Sequence, residues 1–482
     1  MVVFEDLREY INYLEEKNLL KKIYGADWNL EIGALTELVA FSNNPRALLF
    51  DKIKGYPNGF RVTTNLYITY NLQAIALGIK EESNKISTII NLKEKLKRIK
   101  PIKPREVSDG PIKENVLEGD QVDLLKFPAP KWHELDGGRY IGTGDCVITK
   151  DPEEGWVNVG TYRAQILSKN TLGIFIQPTH HGWLHIKKYW DKNKDVPIII
   201  TLGQDPILYH ASNSPLPWGY SELDYAGGFR GKPIDVIIDD DTGLPVPATA
   251  EVALIGYLKK DELEMEGPFG ECDGYYTEAS KKPVIHVKKI LFRNEPIIQG
   301  NPTMRGYSAM AHALGAELMT SATVWAQIEN NVPNIQGVYS HFQGCQTGSP
   351  FLAISIKQMF PGHSMQAALA AISSPATIGD SKIIVIVDDD VDPSNINDVM
   401  WAVWTRCDFA KDLVILKGVP VLPFLPIVYE RKKEKGDITG TTLIIDATKK
   451  PFGKRDKFPP RNKIDDNYSK IILDKWHEVL KE

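Results

Sequence analysis

The feature that most limits the possible folds is a β-rich stretch from about Asn115 to Gln299, after which the pattern changes. Short apolar segments alternate with turn residues in this stretch, and one helical segment, around Leu184 to Lys194, interrupts them. The alternating segments are Tyr140 to Thr149, Trp156 to Leu167, Ile174 to Gln177, Pro197 to Leu202, Val236 to Ile238 and Val284 to Phe292. Short strands separated by turns predict an antiparallel barrel or sandwich.

The region before this stretch is predicted to be a mixed α/β segment. Its elements are an amphipathic helix with Phe4, Leu7, Ile11 and Leu14 on one face, a strand at Ala47 to Phe50, a Lys/Glu-rich helix near Asn91 to Lys100, and a linker marked by Pro101, Pro104 and Pro111. The helix assignments depend on the spacing of the apolar residues, and the linker assignment depends on the prolines.

The region after the stretch has the pattern of an open α/β sheet. Met304 to Asn331 is predicted to be a connecting helix that is rich in Ala and Met. A buried strand at Ile383 to Val387, a helix at Ile396 to Arg406 and a strand at Asp412 to Leu416 then alternate as in βαβ units. Asp465 to Glu482 forms a lone amphipathic helix, and a tethered terminal helix of this kind is expected to dock on a partner subunit.

Composition limits the functional class. With 482 residues and 43% hydrophobic content, the chain is expected to form two or three domains. Its formal charge of -5 gives no indication of nucleic acid or an anionic membrane as a partner. The four scattered cysteines indicate neither a zinc cluster nor a disulfide framework, and no apolar run is long enough to span a bilayer. The sequence therefore predicts a cytoplasmic protein without membrane insertion.

Two glutamates, Glu266 and Glu271, lie at the ends of the segment Glu-Gly-Pro-Phe-Gly-Glu. Gly and Pro cannot continue a helix or an inner strand, so the backbone reverses here and can bring the carboxylates together. Neighbouring carboxylates titrate together, and such a pair can transfer a proton at neutral pH. The alternative is a solvated acidic turn.

A second polar group interrupts the apolar strand around Asn158 and Arg163. On a regular strand their odd spacing places them on opposite faces, unless Gly160 marks a bulge that directs both to one site. The later segments Pro178 to Gly182 and Gly219 to Glu222 add imidazole and carboxylate groups. Asparagine oxygen, histidine nitrogen and glutamate oxygen suit Mn²⁺ or Mg²⁺, although each residue alone is also explained as part of a loop or the surface.

The order Asn-x-x-x-Tyr-Arg, Pro-x-His, Ser-Glu and Glu-Gly-Pro-Phe-Gly-Glu resembles the UbiD-type decarboxylases, which use prenylated flavin mononucleotide (FMN). The resemblance covers most of the chain and includes Val246 to Glu251, Asp388 to Asp390, Trp401 to Arg406 and Ile445 to Thr448.

This resemblance implies an α/β (α+β) fold in which a split β-barrel that binds the cofactor is joined by a helix to a Rossmann-like oligomerisation domain. The implied boundaries are an N-terminal α/β segment at 1–113, the barrel at 114–303, the connecting helix at 304–331, the α/β oligomerisation domain at 332–460 and a C-terminal docking helix at 461–482. A homodimer or homohexamer is expected.

The resemblance also implies a role for individual residues. Divalent-metal ligands correspond to Asn158, His180 and Glu222, and a potassium site corresponds to Ala211 and Ser212. The cofactor is expected to contact Asn158, Thr161, Tyr162, Arg163, His181 and Gly182. The catalytic network corresponds to Arg163, Glu266 and Glu271, with Glu271 as the proton donor. His180 is preferred to the adjacent His181 as the metal ligand by the Pro-x-His spacing.

The implied reaction is the reversible, non-oxidative decarboxylation of an α,β-unsaturated or aromatic acid, with the cofactor supplied by a flavin prenyltransferase. A phosphorylated enoic acid (anhydromevalonate phosphate) of an isoprenoid pathway is an alternative substrate. A flavin reductase-like protein and a non-catalytic assembly subunit are alternatives from other classes. Two acidic sites are expected to be structural: Glu251 in an ion pair that holds the barrel, and Asp388 to Asp390 as a cap or interface.

Overall fold

The structure is a computed structural model that describes residues 3–304, 315–341, 351–374, 376–377, 382–421, 425–428, 436–450, 458–462 and 464–479. Its α-helices are α1 Leu7–Glu16, α2 Glu31–Ala40, α3 Tyr70–Ala76, α4 Lys85–Leu96, α5 His181–Asp191, α6 Pro206–Ala211, α7 Glu222–Arg230, α8 Ser321–Ile328, α9 His363–Ile372, α10 Ile396–Arg406 and α11 Asp466–Lys475. Short 3₁₀ helices lie at Pro111–Lys113, Gly119–Gln121 and Leu124–Lys126, and a π-helical turn at Gly315–Thr320 precedes α8.

The strands of the first half are β1 Leu20–Tyr24, β2 Ala47–Asp51, β3 Arg61–Thr64, β4 Arg105–Glu106, β5 Asn115–Glu118, β6 Tyr140–Gly142, β7 Asp145–Lys150, β8 Val157–Gly160, β9 Ala164–Ile166, β10 Thr171–Ile174, β11 Val196–Leu202 and β12 Asp235–Ile238. Those of the second half are β13 Pro245–Pro247, β14 Val252–Glu266, β15 Phe269–Gly270, β16 Tyr276–Thr277, β17 Ser280–Phe292, β18 Ile297–Gln299, β19 Ile335–His341, β20 Phe351–Ile356, β21 Ile383–Asp388, β22 Leu413–Pro420 and β23 Thr439–Ala447.

The N-terminal region forms a four-stranded sheet in the order β1-β2-β3-β18. Helix α1 begins after Asp6, whose carboxylate accepts a hydrogen bond from the Glu9 amide at 2.8 Å, and it buries Leu7, Ile11 and Leu14 as their spacing predicts. Helix α4 begins earlier than the predicted range of 91–100, because Asn84 caps it through the Ile86 amide.

Two strands connect this region with the barrel. Strand β18 lies within the range 114–303 expected for the barrel, yet it pairs with β3 of the N-terminal sheet. Strand β4 lies in the proline-marked linker and pairs with β12 of a three-stranded sheet. The N-terminal and central regions therefore share sheets.

The central sheet has nine strands in the order β6-β9-β10-β17-β14-β11-β7-β8, with β5 added to β17. The long antiparallel pair β14 and β17 shifts register between Ile255 and Gly256 and between Leu258 and Leu263, and such irregularities bend a sheet. The sheet curls into a half-barrel, and Val147, along with other apolar side chains, is buried in its core.

The prediction of one strand from Trp156 to Leu167, regular or bulged at Gly160, is wrong. Strand β8 ends at Gly160 and pairs with β7, whereas β9 begins at Ala164 and pairs with β6 and β10. Residues 161–163 connect two different strands. The Tyr162 ring folds over Gly160, where an added Cβ would lie 2.5 Å from the tyrosine oxygen.

Helices α6 and α7 were not predicted in this region. Asp205 caps α6 by accepting from the amides of Ile207 and Leu208, and Pro206 follows as the first helical residue. Helix α7 begins at Glu222 and ends at Arg230, and Gly231 caps it in a left-handed conformation. These capping signals are local, while the helices are too short to show a clear apolar period.

The C-terminal region contains a five-stranded sheet in the order β19-β20-β21-β23-β22, in which β20, β21 and β23 are parallel. Asp390, just beyond β21, accepts two hydrogen bonds from Arg406 of α10 at 2.8 and 2.9 Å. Lys449 also pairs with Asp390, at 2.8 Å. The acidic strand end is therefore tied to its own domain by ion pairs.

Two further predictions concern the connector and the C-terminal helix. Residues 305–314 of the predicted connector lie outside the described residues, and Gly315–Ile328 is helical. Helix α11 exposes apolar side chains, with Ile471 60% and Trp476 48% exposed. Among the described residues, there is no helix with the length and apolar character needed to cross a membrane.

Candidate active site

Arg163 binds both glutamates of the predicted pair. Glu266 is the last residue of β14, and Arg163 immediately precedes β9. The Arg163 Nε and Nη2 atoms each donate to Glu266 at 2.9 Å, and its Nη1 donates to Glu271. Nη2 also lies 3.3 Å from the Thr277 hydroxyl. The structure thus brings together the three residues that the sequence analysis placed in a catalytic network.

The two carboxylates lie in different surroundings. The Glu266 side chain is fully buried, whereas that of Glu271 is 13% exposed. Burial raises the pKa of Glu271, and the negative charges of Asp273 and Glu266 raise it further, while Arg163 opposes this shift. Glu271 therefore keeps a proton to a higher pH than an ordinary glutamate, as a general acid requires.

Aromatic rings enclose the Arg163 guanidinium. It lies 4.8 Å from the ring centre of Phe175 and 4.9 Å from that of Phe269. Burial disfavours its charge, yet Glu271 and Glu266 raise its pKa above the usual arginine value. Arg163 is therefore a fixed cation in an apolar frame, where a charge-assisted hydrogen bond is stronger than in water.

A cavity of about 570 Å³ is lined by Thr161 and Tyr162, which immediately precede Arg163 in the chain. It contains six of the predicted metal and cofactor residues, Asn158, Thr161, Tyr162, His180, His181 and Glu222, together with Ser212 of the predicted potassium site. Other parts of the lining come from β8, the loop between α6 and α7, helices α4, α7 and α8, and the π-helical turn before α8. Residues far apart in sequence thus converge on one space, as expected for a ligand site.

Asn158 and Glu222 fit a cation. Asn158 is 3% exposed and lines the cavity, and its side-chain oxygen is the atom that would ligate a cation. Glu222 is 4% exposed, and one of its oxygens accepts from the Val159 amide at 2.7 Å. Burial raises the pKa of Glu222 to about 8. A buried acid without a cationic partner is the kind of group that a metal ion would stabilise in its charged form.

The two adjacent histidines have different neighbours. Burial, then the nearby His181, lowers the pKa of His180, which favours the neutral imidazole that ligates metals. The His181 ring instead packs edge-on against Trp156 and Trp218, at centroid distances of 5.5 and 5.3 Å. Among the described residues, no three His, Cys, Asp or Glu side chains cluster as a metal site, so the Asn158 amide is an essential part of the candidate set.

A chain of hydroxyl and amide groups leads from the cavity to the predicted potassium site. The Thr161 hydroxyl donates to the Asp145 carbonyl at 2.8 Å and lies 3.0 Å from the Ser212 hydroxyl. Ala211 ends helix α6, and Ser212 follows as its C-cap. Asn213, which the sequence analysis missed, donates to Thr161 at 3.0 Å and also lines the cavity.

The contacts of two other residues named in the sequence analysis, Gly182 and Glu251, are also defined. Gly182 lies so close to Tyr162 that an added Cβ would be 3.2 Å from its ring, which explains a glycine at this position. Glu251 is fully buried and pairs with Arg8 at 2.7 Å, in agreement with the expected structural ion pair.

Three family models match the chain. The N-terminal domain of 3-octaprenyl-4-hydroxybenzoate carboxy-lyase matches residues 11–92, its Rift-related domain matches residues 105–306, and its C-terminal domain matches residues 313–447. The chain belongs to the UbiD family. It is therefore a carboxy-lyase, and neither a flavin reductase nor a non-catalytic assembly subunit is supported.

Curated relatives of the family extend over nearly the whole chain. A phenolic acid decarboxylase of Escherichia coli O157:H7 is 30% identical over 93% of this chain and 92% of its own length. A pyrrole-2-carboxylic acid decarboxylase of Pseudomonas aeruginosa is also 30% identical, over 92% of this chain and 90% of its own.

Solved structures confirm the predicted fold class. The vanillic acid decarboxylase of Sedimentibacter hydroxybenzoicus, in an open form, matches with a TM-score of 0.85 and 28% identity over 100% of both chains. The UbiD-class enzyme HmfF from Pelotomaculum thermopropionicum, in an evolved dimeric form in complex with prenylated FMN, matches with a TM-score of 0.82 and 28% identity over 98% of this chain and 100% of its own.

Proposed function

We propose that this UbiD-family enzyme catalyses the reversible, non-oxidative decarboxylation of an aromatic carboxylic acid with prenylated FMN. The observation that carries the proposal is the single guanidinium of Arg163, which binds Glu266 and Glu271 in a pocket walled by Phe175 and Phe269. Relatives that are named for phenolic and pyrrole carboxylic acids support the substrate class. The structure of HmfF with prenylated FMN supports the cofactor.

The residues of the cavity would hold the cofactor and its ions. Thr161, Tyr162, Arg163, His181 and Gly182 would contact the flavin. Asn158, His180 and Glu222 would bind Mn²⁺ or Mg²⁺ against its phosphate, and Ala211 and Ser212 would bind K⁺ partly through backbone carbonyls. When bound, the modified flavin supplies the electron sink that loss of CO₂ from an sp² carbon requires.

The protein itself orients the acid and moves a proton. Glu266 occupies the Nε and Nη2 side of Arg163 and Glu271 binds its Nη1, so the substrate carboxylate would bind the remaining N–H of Nη1. The rings of Phe175 and Phe269 limit access of water to the guanidinium. Glu271, whose pKa burial raises, delivers the proton to the carbon that has lost CO₂, and in the reverse direction it accepts that proton.

An aromatic acid fits this structure better than the phosphorylated enoic acid. A phosphate would need basic side chains at the cavity, and Lys97 is the lysine or arginine among the described lining residues. Its ammonium already pairs with Glu329 and lies 3.6 Å from Glu94. The positive charge of Lys97 is thus neutralised by acidic residues of the protein and does not serve a substrate phosphate.

The test is Asn158→Ala in protein co-expressed with a flavin prenyltransferase. We expect the wild-type protein to carry prenylated FMN and Mn²⁺, and the variant to lose both together, because the two remaining ligands cannot replace the third. Absorbance, mass spectrometry of the released cofactor and metal analysis measure the outcome.

A matched control is Asn115→Ala, which removes a partly buried asparagine bonded to the Phe292 carbonyl outside the cavity. This variant is expected to keep both ligands. Unmodified flavin, or no flavin, in folded wild-type protein would contradict the cofactor assignment. Wild-type cofactor and metal content in Asn158→Ala would remove Asn158 from the metal site.

A further inference from the structure

Glu266 is held by a group that the sequence analysis did not place in the site. Tyr140 of β6 is fully buried, and its hydroxyl lies 2.9 Å from Glu266 Oε1. The Gln165 side-chain oxygen and the Pro268 carbonyl are farther away, at 3.3 and 3.4 Å. A phenol has one proton to donate, and the shortest contact directs it to Glu266.

Tyr140 is a permanent donor in this arrangement. Burial, followed by the charge of Glu266, raises the pKa of Tyr140 well above its ordinary value. The hydroxyl therefore stays protonated at any working pH. Its ring also packs against Phe269, at a centroid distance of 4.4 Å, and Phe269 is one of the two rings beside Arg163.

The two glutamates consequently receive different numbers of hydrogen bonds. Glu266 accepts from Tyr140 and from two nitrogens of Arg163, whereas Arg163 gives Glu271 one. The backbone beside Glu266 is also fixed, because the Gly267 amide donates to the Gln165 side chain at 2.8 Å. Hydrogen bonds to a carboxylate favour its charged form, and coupled carboxylates titrate as a pair.

Other charged groups face the pair from the surrounding elements. The negative charge of Asp136, which precedes β6, raises the pKa of Tyr140. The negative charge of Asp273, which follows β15, raises the pKa of Glu271. Lys282 of β17 lies over the Phe175 ring at 4.2 Å. Among the described residues, the side-chain hydrogen bonds to Glu266 come from Arg163 and Tyr140. Tyr140 is thus the neutral group that distinguishes the two glutamates.

We propose that Tyr140 is a positioning residue that holds Glu266 as the fixed carboxylate of the pair and thereby leaves the exchangeable proton on Glu271. This inference rests on the proposed function, in which Glu271 delivers the proton. It adds a reason why two glutamates on one arginine take different roles.

The first test is the pH dependence of kcat for Tyr140→Phe holoenzyme. Without the phenol, Glu266 competes with Glu271 for the shared proton. We expect the plateau of kcat to fall by up to about 10-fold, because one pKa unit changes the ratio of the proton on the two sites tenfold. The pair as a whole binds its proton more tightly, so the alkaline limb of the profile should move to higher pH.

Tyr10→Phe is the matched control. Tyr10 is also fully buried, and its hydroxyl lies 2.8 and 3.0 Å from the carbonyls of Leu66 and Leu72, outside the site. The Tyr10→Phe substitution removes the same phenol oxygen from a packed interior. The alkaline limb of the pH profile of this variant should match that of the wild type. A general loss of packing would lower the plateau of either variant without moving that limb.

Infrared spectroscopy gives a second readout. Glu271→Gln should lose a protonated-carboxyl C=O band of the wild type, and in Tyr140→Phe that band should change frequency because the proton no longer resides on Glu271 alone. If Tyr140→Phe does not fold, 3-fluorotyrosine at position 140 keeps the shape and donates more strongly, so the plateau of kcat should not fall.

The outcomes distinguish failure of the proton donor, Glu271, from failure of the positioning role of Tyr140. If Glu271→Gln turns over at the wild-type rate, the donor assigned under the proposed function is wrong. If Glu271→Gln is impaired but Tyr140→Phe keeps the wild-type limb, or 3-fluorotyrosine lowers the plateau of kcat, the role of Tyr140 alone is overturned. An unchanged infrared band in Tyr140→Phe has the same meaning.

Discussion

At the scale of single residues, Arg163 has the most demanding geometry in the site. Its guanidinium donates to two carboxylates and a hydroxyl while two rings enclose it. A lysine ammonium is a point charge and cannot reproduce this planar fork. Arg163→Lys should therefore lower turnover on the order of 10²-fold, the size of effect seen when one preorganised donor is removed.

Arg105→Lys is the control for this substitution. Arg105 makes a two-point contact with Asp235 at 2.7 and 2.8 Å, far along the chain from the site and exposed. Its replacement should leave turnover unchanged. Near-normal turnover in Arg163→Lys would exclude the guanidinium from the mechanism.

The sequence predicted residues of the site whose chemistry stands out from their surroundings. Glu266 and Glu271 were noticed because two acids flank a turn, and Asn158 because an amide interrupts an apolar strand. Tyr140 was missed because an aromatic residue in a strand has the pattern of a core residue. Its hydroxyl partner lies 126 positions away, so only the fold reveals the contact.

At the scale of elements, helix α1 is tied to the barrel by a buried ion pair. Arg8 donates twice to Glu251, at 2.7 and 2.8 Å, and Glu251 also accepts from the Ile297 amide at 3.1 Å. The Arg8 side chain is 26% exposed. Arg8→Ala leaves the acid buried without this partner, so we expect local opening of α1 to become easier by about 2 kcal/mol, less than for a fully buried pair.

Hydrogen exchange of the α1 amides measures this change. The exposed pair of Arg105 and Asp235 provides the comparison, and Arg105→Ala should leave α1 protection at the wild-type level. Equal protection of α1 in wild type and Arg8→Ala would show that the ion pair with Glu251 does not hold the helix.

Helices and strands with a strong hydrophobic pattern were predicted well, whereas short helices were not. The apolar face of α1 and the buried run of β21 agree with their patterns. Helices α6 and α7 have six and nine residues, so they show too few turns to be distinguished from loops. The break between β8 and β9 was missed because pairing partners, rather than the residues themselves, decide where one strand ends.

At the scale of the whole molecule, the exposed helix α11 is proposed to dock on a second copy of the chain in a homodimer or homohexamer. Its apolar side chains include Ile471, Leu473 and Trp476, which are 60%, 55% and 48% exposed. Deleting residues 465–482 should reduce the mass of the oligomer in light scattering. An unchanged mass would mean that the helix docks within its own chain.

The order of regions along the chain was predictable from the sequence. The sharing of a sheet between the N-terminal and central regions was not. Alternating short strands followed by βαβ units indicated a barrel and then an α/β sheet. The pairing of β18 with β3 depends on contacts across more than 230 positions. Such long-range pairing leaves no local signal.

The central claim is that Glu271 delivers the proton, and Glu271→Gln tests it most directly. Glutamine keeps the size of the side chain but has no carboxylic proton. We expect normal cofactor and metal content and a fall in turnover on the order of 10²-fold to 10⁴-fold. Glu262→Gln, which alters an acid paired with His286 at 2.7 Å outside the site, serves as the control.

The decisive measurement is the rate at which solvent deuterium enters the C–H bond of the product, followed across pH. The pKa of Glu271 is raised, so in the wild type the protonated donor should persist above the usual range for glutamate, and exchange that depends on this donor should decline as pH rises through that pKa. In Glu271→Gln, exchange should be slow and should lack this decline. Exchange at the wild-type rate in that variant would contradict the account and assign the proton to Glu266 or to water.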